Sequence, residues 1–192
     1  MFELKDINKA SPVFNRAKLL WFNQKYIQAL SPDALTNKFN AWMGQQSGLE
    51  EFKQSVLTKG PDFLQKALLL EQSRSRTLSE IPAAIGFFYH HQGNSDLLAS
   101  KQTKKLSPEL IKKFFSDTVI LLGTKSPELS DLSHEQWEGF VREQAAIGSV
   151  PAGSLFMSIR MAVTDSQFSP PLLEVMQILE RDEVNKRINK YL

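Results

Sequence analysis

Prolines that directly follow a serine or a glycine recur along this chain, and they limit its fold more than any other pattern. They stand at Ser31-Pro32, Gly60-Pro61, Ser107-Pro108, Ser126-Pro127 and Ser169-Pro170. Proline suits the first turn of a helix, where its missing N–H loses no hydrogen bond, and serine caps the amides that follow it. Between these starts apolar residues recur at helical spacing, and no run alternates with period two. The sequence therefore predicts an all-α fold.

The apolar spacing predicts nine helices, the last of them broken near Arg181-Asp182. They cover residues near 16–30, 32–43, 48–57, 61–74, 77–90, 107–122, 133–147, 151–163 and 169–191. The segments 77–80 and 133–136 have the capping-box pattern, in which the first and fourth side chains satisfy each other's backbone amides. The polar, aperiodic stretch 93–105 is predicted to link two consecutive helical bundles.

Several classes of protein are excluded by what the sequence lacks. The 192 residues are 42% hydrophobic, enough for a core, and the absence of cysteine rules out disulfides, thiolate zinc sites and cysteine nucleophiles. Apolar runs fall far short of the ~20 residues of a membrane span, so we expect a soluble, cytoplasmic protein without a membrane partner. No phosphate-binding glycine loop or nucleophile elbow is present. His90 and His91 point ~100° apart on a helix, so no metal site is predicted.

Positive charge is concentrated near the start of the chain. Residues 1–76 hold 11 Lys and Arg against 7 Asp and Glu, whereas residues 77–192 hold 12 against 14. This bias suits an anionic partner such as RNA, and ordinary solvated helix faces explain it as well. On the first predicted helix, Leu19, Leu20, Tyr26, Ile27 and Leu30 fall on one side, and Lys18, Trp21, Lys25 and Gln28 on the other.

A tryptophan between two lysines can lie along a nucleic-acid backbone, with the lysines on phosphates and the indole on sugar or base. Lys18, Trp21 and Lys25 form such a group. In the alternative, which stays open, Trp21 packs against the following helix or a neighbouring domain.

Two arginines stand at helix positions that suggest a binding pocket. Arg74 ends a predicted helix, where it either compensates the helix dipole or contacts a ligand. Arg160 lies in the most apolar helix of the second half, so it must find a carboxylate or point into a groove. Downstream, Ser169-Pro170-Pro171 starts a helix beside Leu172 and Leu173, which we expect to be exposed. An arginine beside such an apolar helix start would fit a flat ring such as an unstacked RNA base.

Five blocks of sequence resemble the C-terminal part of bacterial-type glutamyl-tRNA synthetases, in family order. Residues 6–14 and then 18–27 are similar to the end of the stem-contact region, with its pattern K-L-x-W-x-N-x-x-Y-I. Residues 74–80 resemble the segment R-x-x-T-L-x-E of the first anticodon-binding domain. Residues 158–164 and 169–179 resemble P-L-R-x-A-L-T-G and (S/T)-P-x-L-x-E-x-x-x-L-L-G near the family's C-terminus.

The resemblance implies a function and a division of the chain. Residues 1–31 would end the stem-contact region, 32–98 would form the first anticodon-binding subdomain, and 99–192 the second. The partner would be tRNA(Glu), bound by a monomer. Matching residue by residue assigns anticodon contacts to Arg74, Arg160, Ser169, Pro170, Leu172 and Leu173, and stem contacts to Lys18, Trp21 and Lys25. The family arginine matched by Arg74 is associated with telling glutamate from glutamine anticodons.

The chain departs from the family pattern at three places and lacks the family's catalytic signatures. Asp165 and Glu180 stand where the patterns have glycine, and Ser158 replaces a proline. A carboxylate at 165 would repel a phosphate-rich ligand unless something neutralises it. The family's ATP-binding signatures, H-x-G-H and K-x-S-K, do not occur in this sequence. We therefore expect the chain to be part of a glutamate–tRNA ligase whose catalytic half is missing. ATP would be used by that half, and this chain itself would bind no cofactor. Two alternatives remain: a helical protein-interaction scaffold and a free-standing tRNA-binding paralogue.

Overall fold

The computed structural model describes residues 14–124 and 129–192, and within these ranges the regular structure is helical, without a strand. The all-α prediction is therefore confirmed. The helices are α1 (Arg16–Gln28), α2 (Pro32–Gly44), α3 (Glu50–Lys59), α4 (Pro61–Glu71), α5 (Ile81–Ile85), α6 (Pro108–Thr124), α7 (His134–Ile147), α8 (Ala152–Thr164) and α9 (Leu172–Asn189). The predicted start at Ser126-Pro127 and the block 6–14 fall wholly or mostly outside the described residues.

Proline and serine start these helices as the sequence indicates. Pro32 and Pro61 lie in the first turns of α2 and α4, and the Ser31 hydroxyl accepts a hydrogen bond from the amide of Ala34 at 3.3 Å. At α7 the predicted capping box is complete, because Ser133 and Gln136 each accept from the other's backbone amide, at 3.2 and 2.9 Å.

The helix predicted over residues 77–90 is wrong. The segment instead forms a 3-10 turn at Leu78–Glu80, the short helix α5 and a second 3-10 turn at Gly86–Phe88. The expected capping box at 77–80 is incomplete, because the Thr77 hydroxyl caps no amide and bonds to the Ser79 hydroxyl at 2.9 Å. The Glu80 carboxylate also bonds to the Arg76 amide at 2.8 Å and to its guanidinium at 3.0 Å. Pro82 then removes an amide donor from the segment.

The apolar face predicted for α1 is also partly wrong. Leu19 and Tyr26 are 53% and 73% exposed, and Ile27 is the buried residue of this helix. Side-chain amides attach α1 to the rest of the chain instead. Gln24 and Gln28 both donate to the Ser73 carbonyl at 2.9 Å. The side-chain amide of Gln72 also donates to the backbone carbonyls of Ile27 and Leu30, at 2.8 and 2.9 Å.

Apolar side chains of α2 to α5 and of α6 to α9 fill a core that runs through both halves of the chain. The largest fully buried side chains are Phe39, Phe88, Phe114, Phe115 and Trp137, followed by aliphatic residues of α2, α4, α5 and α8. The stretch 93–105 contains no helix, as expected for a connection, yet Leu97, Ser100 and Thr103 in it are buried. The division of the chain at residue 98 stays a prediction.

Buried Arg187 of α9 joins the two halves. Its Nη1 donates to the carbonyl of Phe87 at 2.9 Å, which belongs to the first half, and to that of Val163 at 2.7 Å, which belongs to α8. Its Nε donates to the Glu183 carboxylate at 2.9 Å. Burial lowers the pKa of Arg187 below its ordinary value, because its effect exceeds the opposing effect of Glu183. The guanidinium satisfies carbonyls that burial would otherwise leave without partners.

Helix α9 is broken at Glu180, one residue before the predicted break near Arg181-Asp182. The backbone there has φ 65° and ψ 163°. Only glycine adopts this region without strain, and the strain costs about 1–3 kcal/mol for other residues.

Among the described residues no single helix could span a membrane, and only α7 and α8, bent by 115°, would together have the required length and apolarity.

We expect Ser133→Ala to lower the free energy of unfolding by about 1 kcal/mol, because one amide of α7 loses its cap. Thr77→Ala is the matched control and should cost less, since the Thr77 hydroxyl bonds only to Ser79 and caps no helix. Urea unfolding of both variants gives the comparison. Equal losses would contradict the assignment of the caps.

Glu180→Gly should raise the free energy of unfolding by about 1 kcal/mol, because relief of the backbone strain exceeds the entropic cost of glycine. The control is Glu143→Gly, in the exposed middle of α7, which should lower it by about 1 kcal/mol. Thermal and urea unfolding measure both. A loss of stability in Glu180→Gly would show that the break at residue 180 is not strained.

Candidate nucleic-acid interface

Arg160 projects from α8 onto the loop that leads to α9. Its Nη1 donates to the carbonyl of Pro170 at 2.9 Å and to that of Ser169 at 3.3 Å, and it also bonds to the Ser169 hydroxyl. The sequence predicted that Arg160 would pair with a carboxylate or point into a groove. In the structure this half-buried arginine bonds to the carbonyl groups of the loop, a third possibility. Within the described residues Nε and Nη2 have no hydrogen-bond partner, so these donors are not used by that part of the chain.

Arg74 approaches Arg160 from the first half of the chain. Burial, and then the positive charge of Arg74, lower the pKa of Arg160. Arg74 is oriented by the buried Glu71, whose carboxylate lies 3.3 Å from the Arg74 Nε. Burial raises the pKa of Glu71, although the positive charge of Arg74 opposes the shift. Two like charges held near each other, with one local carboxylate, favour an anionic or electron-rich ligand between or beside them.

The loop residues differ in exposure from the sequence-based expectation. Leu172 and Leu173 are 5% and 2% exposed, so the prediction of exposed leucines at this helix start is wrong. They pack in the core because α9 turns inward directly after its prolines. Pro170 is also buried, and Ser169 is partly exposed. Phe168, which sequence reasoning missed, is the apolar side chain displayed here, with 84% of its surface exposed. Its position directly before Ser169-Pro170 was the available signal.

On α1, the structure brings Trp21 and Lys25 together as predicted. Trp21 is 52% exposed, and the Lys25 Nζ lies 5.9 Å from the indole centroid. Lys18 lies instead over the ring of Phe22, also at 5.9 Å. The exposed indole excludes the reading in which Trp21 is covered by the following helix. Because α1 bonds to the Ser73 carbonyl, this cationic aromatic surface is attached to the turn that carries Arg74.

Asp165, which departs from the family glycine, has a structural role. It ends α8 at φ 53° and ψ 21°, a left-handed conformation that explains glycine in the pattern. Its carboxylate accepts hydrogen bonds from the amides of Gln92 and Gly93, at 2.7 and 3.1 Å, and from the Ser95 hydroxyl at 2.9 Å. Burial alone would raise its pKa, but these bonds and His91 hold the pKa below its ordinary value. The carboxylate therefore stays ionised, but its oxygens are occupied by donors from residues 92–95.

The described residues contain no group of three His, Cys, Asp or Glu side chains placed to hold a metal ion. The chemistry of this region is therefore that of guanidinium, ammonium and aromatic groups. These groups bind phosphates, base edges and base faces, and nothing in their arrangement activates a nucleophile. Guanidinium, ammonium and aromatic groups displayed on an all-helical domain are typical of nucleic-acid-binding modules.

Comparisons with known proteins identify the family to which this chain belongs. The family model described as the anticodon binding domain matches residues 28–192, and the chain belongs to this family. It is 26% identical to the glutamate–tRNA ligase of Syntrophobacter fumaroxidans over 191 residues and 28% identical to that of Geotalea uraniireducens over 191 residues. In both cases the match covers 100% of this chain and 38% of the relative. The chain thus spans under two-fifths of the length of these relatives.

Solved structures share the fold. A glutamate tRNA ligase from Elizabethkingia meningosepticum, crystallised with its amino acid, matches with a TM-score of 0.71 at 22% identity, over 99% of this chain and 34% of the ligase. The glutamate-tRNA synthetase of Elizabethkingia anophelis matches with a TM-score of 0.63 at 21% identity, with the same coverage. The resemblance inferred from the sequence blocks is confirmed. The roles of the individual contact residues stay predictions.

We expect Asp165→Asn to lower the free energy of unfolding by about 1–2 kcal/mol at pH 7, because bonds to a charged acceptor are lost. Since the folded-state pKa is depressed, the contribution of Asp165 is present above its unfolded pKa of about 3.9 and is lost as the pH falls through the folded value. Urea unfolding at pH 7 and near pH 3 should therefore show a difference that shrinks in acid.

The control for this prediction is Asp182→Asn, whose side chain is fully exposed. Its free energy of unfolding should follow that of the parent protein at both pH values. A pH-independent loss in Asp165→Asn would mean that the carboxylate charge does not contribute.

Proposed function

We propose that this chain binds tRNA at the anticodon and serves as the anticodon-recognition part of a glutamate–tRNA ligase, with tRNA(Glu) as its partner. One observation carries the proposal most directly. The Nη1 of Arg160 is fixed by the carbonyls of Ser169 and Pro170, directly after the exposed ring of Phe168. Arg74, from the first half of the chain, adds a second positive charge whose effect reaches Arg160. Positive charge concentrated in this way favours an anionic ligand.

Arg160 has the geometry of a base reader. Its Nη1 is fixed by the carbonyls of Ser169 and Pro170, so the guanidinium plane is held before a ligand arrives. The remaining Nε and Nη2 donors form a fork that can bond to two acceptors on one base edge. Preorganisation of this kind reduces the entropy lost on binding.

Phe168 supplies a second mode of contact beside Arg160. A phenyl ring that is 84% exposed offers a stacking face to an unstacked base. Hydrogen bonds fix the preceding turn, because the Ser166 hydroxyl accepts from the Phe168 amide at 3.0 Å and donates to its carbonyl at 2.8 Å. Single-stranded anticodon loops present bases that can be both stacked and read at their edges.

Lys18, Trp21 and Lys25 on α1 would contact the tRNA stem. Lysine ammonium groups are suited to phosphates, and these contacts make affinity depend on salt. In this arrangement α1 and the arginine pair contact different parts of one tRNA. Ligation of glutamate to tRNA, the activity named for the relatives, would be performed by parts that correspond to the remainder of their longer chains, and we expect those parts to use ATP. The location of such a ligase would be the cytoplasm.

The second candidate is a protein-interaction scaffold, and α1 is the observation that favours it. Besides Trp21, this end of the chain exposes apolar side chains to solvent. They are Phe14, Leu19, Phe22 and Tyr26, exposed by 44–78%. Contiguous exposed apolar surface of this kind marks protein interfaces as well as nucleic-acid contacts. A scaffold would retain its partner at moderate salt and would not bind tRNA.

Arg160→Ala and Arg74→Ala should each weaken binding of tRNA(Glu) by about 1–3 kcal/mol, or roughly 5- to 150-fold, if each reads a base edge. Arg160→Lys keeps the charge but lacks the fork, so it should fall between the parent and Arg160→Ala. Fluorescence anisotropy at two salt concentrations measures these affinities and their salt dependence.

Arg142→Ala is the control for general charge loss, because Arg142 is 68% exposed and paired only with Glu138 of the same helix. It should bind tRNA nearly as the parent does. If the Arg74 and Arg160 variants also bind cognate and scrambled-anticodon tRNA like the parent, the proposed reading site is wrong. Absence of any salt-sensitive tRNA binding would favour the scaffold.

A further inference from the structure

A cavity of about 220 Å³ lies where the end of α9 meets the segment that follows α5. Its lining includes Lys59 of α3, Tyr89, and Glu183, Lys186, Arg187 and Lys190 of α9. None of these residues belongs to the arginine site or to the α1 surface. A water molecule takes about 30 Å³ of liquid volume, so the cavity has room for a small polyatomic ion and some of its hydration.

The charges that line this cavity do not balance. Four cationic side chains face one carboxylate, that of Glu183. Glu183 is shared by Arg187 and Lys186, at 2.9 and 3.3 Å. Burial would raise the pKa of Glu183, but hydrogen bonds and charge from Arg187 and Lys186 lower it, so this carboxylate stays ionised at neutral pH.

The other two cations have no counter-ion in the part of the chain that the structure describes. Lys59 lies over the ring of Phe63, at 5.1 Å from its centroid. Lys190 donates to the carbonyls of His91 and Gln92, at 3.4 and 3.0 Å, which are neutral acceptors. Gly93 permits this position of Lys190, because a β-carbon at residue 93 would overlap the lysine side chain. Lysines held at a cavity without a carboxylate create a positive potential inside it.

Tyr89 forms part of the cavity wall. Edge-to-face contacts with Phe52 and Phe63, at centroid distances of 5.1 and 5.6 Å, hold its ring in place. Its hydroxyl oxygen is buried and does not reach the open space of the cavity, so the ring shapes the cavity and the lysines supply the donors.

We propose that this cavity binds a phosphate group. The negative charge of a phosphate is complementary to Lys59 and Lys190, and its oxygens accept hydrogen bonds from their ammonium groups. Arg187 and Lys186 add positive charge but are partly satisfied by Glu183, so Lys59 and Lys190 are the principal ligands. The group is carried either by a small phosphorylated molecule or by a polynucleotide backbone, and the chemistry of recognition is the same for both.

The experiment uses the full 192-residue chain and inorganic phosphate as the probe, with chloride at matched ionic strength as the reference. Phosphate should raise the Tm by about 2–4 °C at saturating concentration, because it binds only the folded state. The dissociation constant comes from a titration followed by ¹H–¹⁵N spectra. The amides that shift should include those of residues 88–92 and 183–190.

Two variants test the assigned ligands. Lys190→Gln should weaken phosphate binding about 10-fold, because a charge-assisted hydrogen bond to the phosphate is lost. Lys59→Gln should weaken it by a similar factor. Lys113→Gln, an exposed lysine on α6 paired with Asp117, is the control and should leave phosphate binding unchanged.

Equal Tm values in phosphate and chloride would overturn the proposal, as would a phosphate effect that persists unchanged in both Lys190→Gln and Lys59→Gln. Adenosine 5′-monophosphate and a single-stranded RNA serve as further arms. Binding of the nucleotide alone identifies a small phosphorylated ligand, whereas Lys59→Gln weakening RNA binding identifies the backbone. Arg160→Ala should leave the effect of inorganic phosphate intact, so failure of the tRNA proposal and failure of this one are distinguishable.

Discussion

The last carbonyl groups of α8 hold the two halves of this chain together. The carbonyl of Val163 accepts from Arg187, and the Ala162 carbonyl meets the His91 Nε2 at 2.8 Å. One residue further, the Asp165 carboxylate takes the amides of Gln92 and Gly93. The end of a helix has unsatisfied carbonyls and partial negative charge, so it attracts donors and cations. Here the partners of the Ala162 and Val163 carbonyls come from outside α8, and the helix end becomes a junction.

The candidate site depends on this junction. Arg160 lies one turn before the end of α8, and its distance from Arg74 is set by how α8 is fixed against the first half. The guanidinium also ties the loop before α9 back onto α8, so the same helix positions both the reading arginine and Phe168. A binding surface shared between two bundles needs the joint between them to be stiff, because a loose joint would separate its two charges.

Much of the fold could be predicted from the sequence, because proline, serine caps and apolar spacing act locally. The starts of α2, α4 and α7 follow directly from such signals. The failures have a common cause, which is competition from partners that spacing does not reveal. The Thr77 hydroxyl bonds to Ser79 rather than capping an amide, and the side-chain amides of Gln24 and Gln28 replace the expected apolar packing of α1. For the candidate site, the residue types were enough to predict the two arginines. The burial of Leu172 and Leu173 could not be predicted, because it depends on the direction in which α9 continues after its prolines.

The attachment of α1 has a mechanical consequence. Its contacts are mainly side-chain amides on backbone carbonyls, and each such bond contributes only about 1 kcal/mol because water can replace it. Ile27 is the buried side chain of this helix, so little apolar area resists its displacement. The helix can therefore tilt when a few of its hydrogen bonds are exchanged for bonds to water, while the packing of the two helical bundles stays unchanged. A long ligand that touches both α1 and the arginine pair could thus be accommodated by adjusting one helix rather than the whole domain.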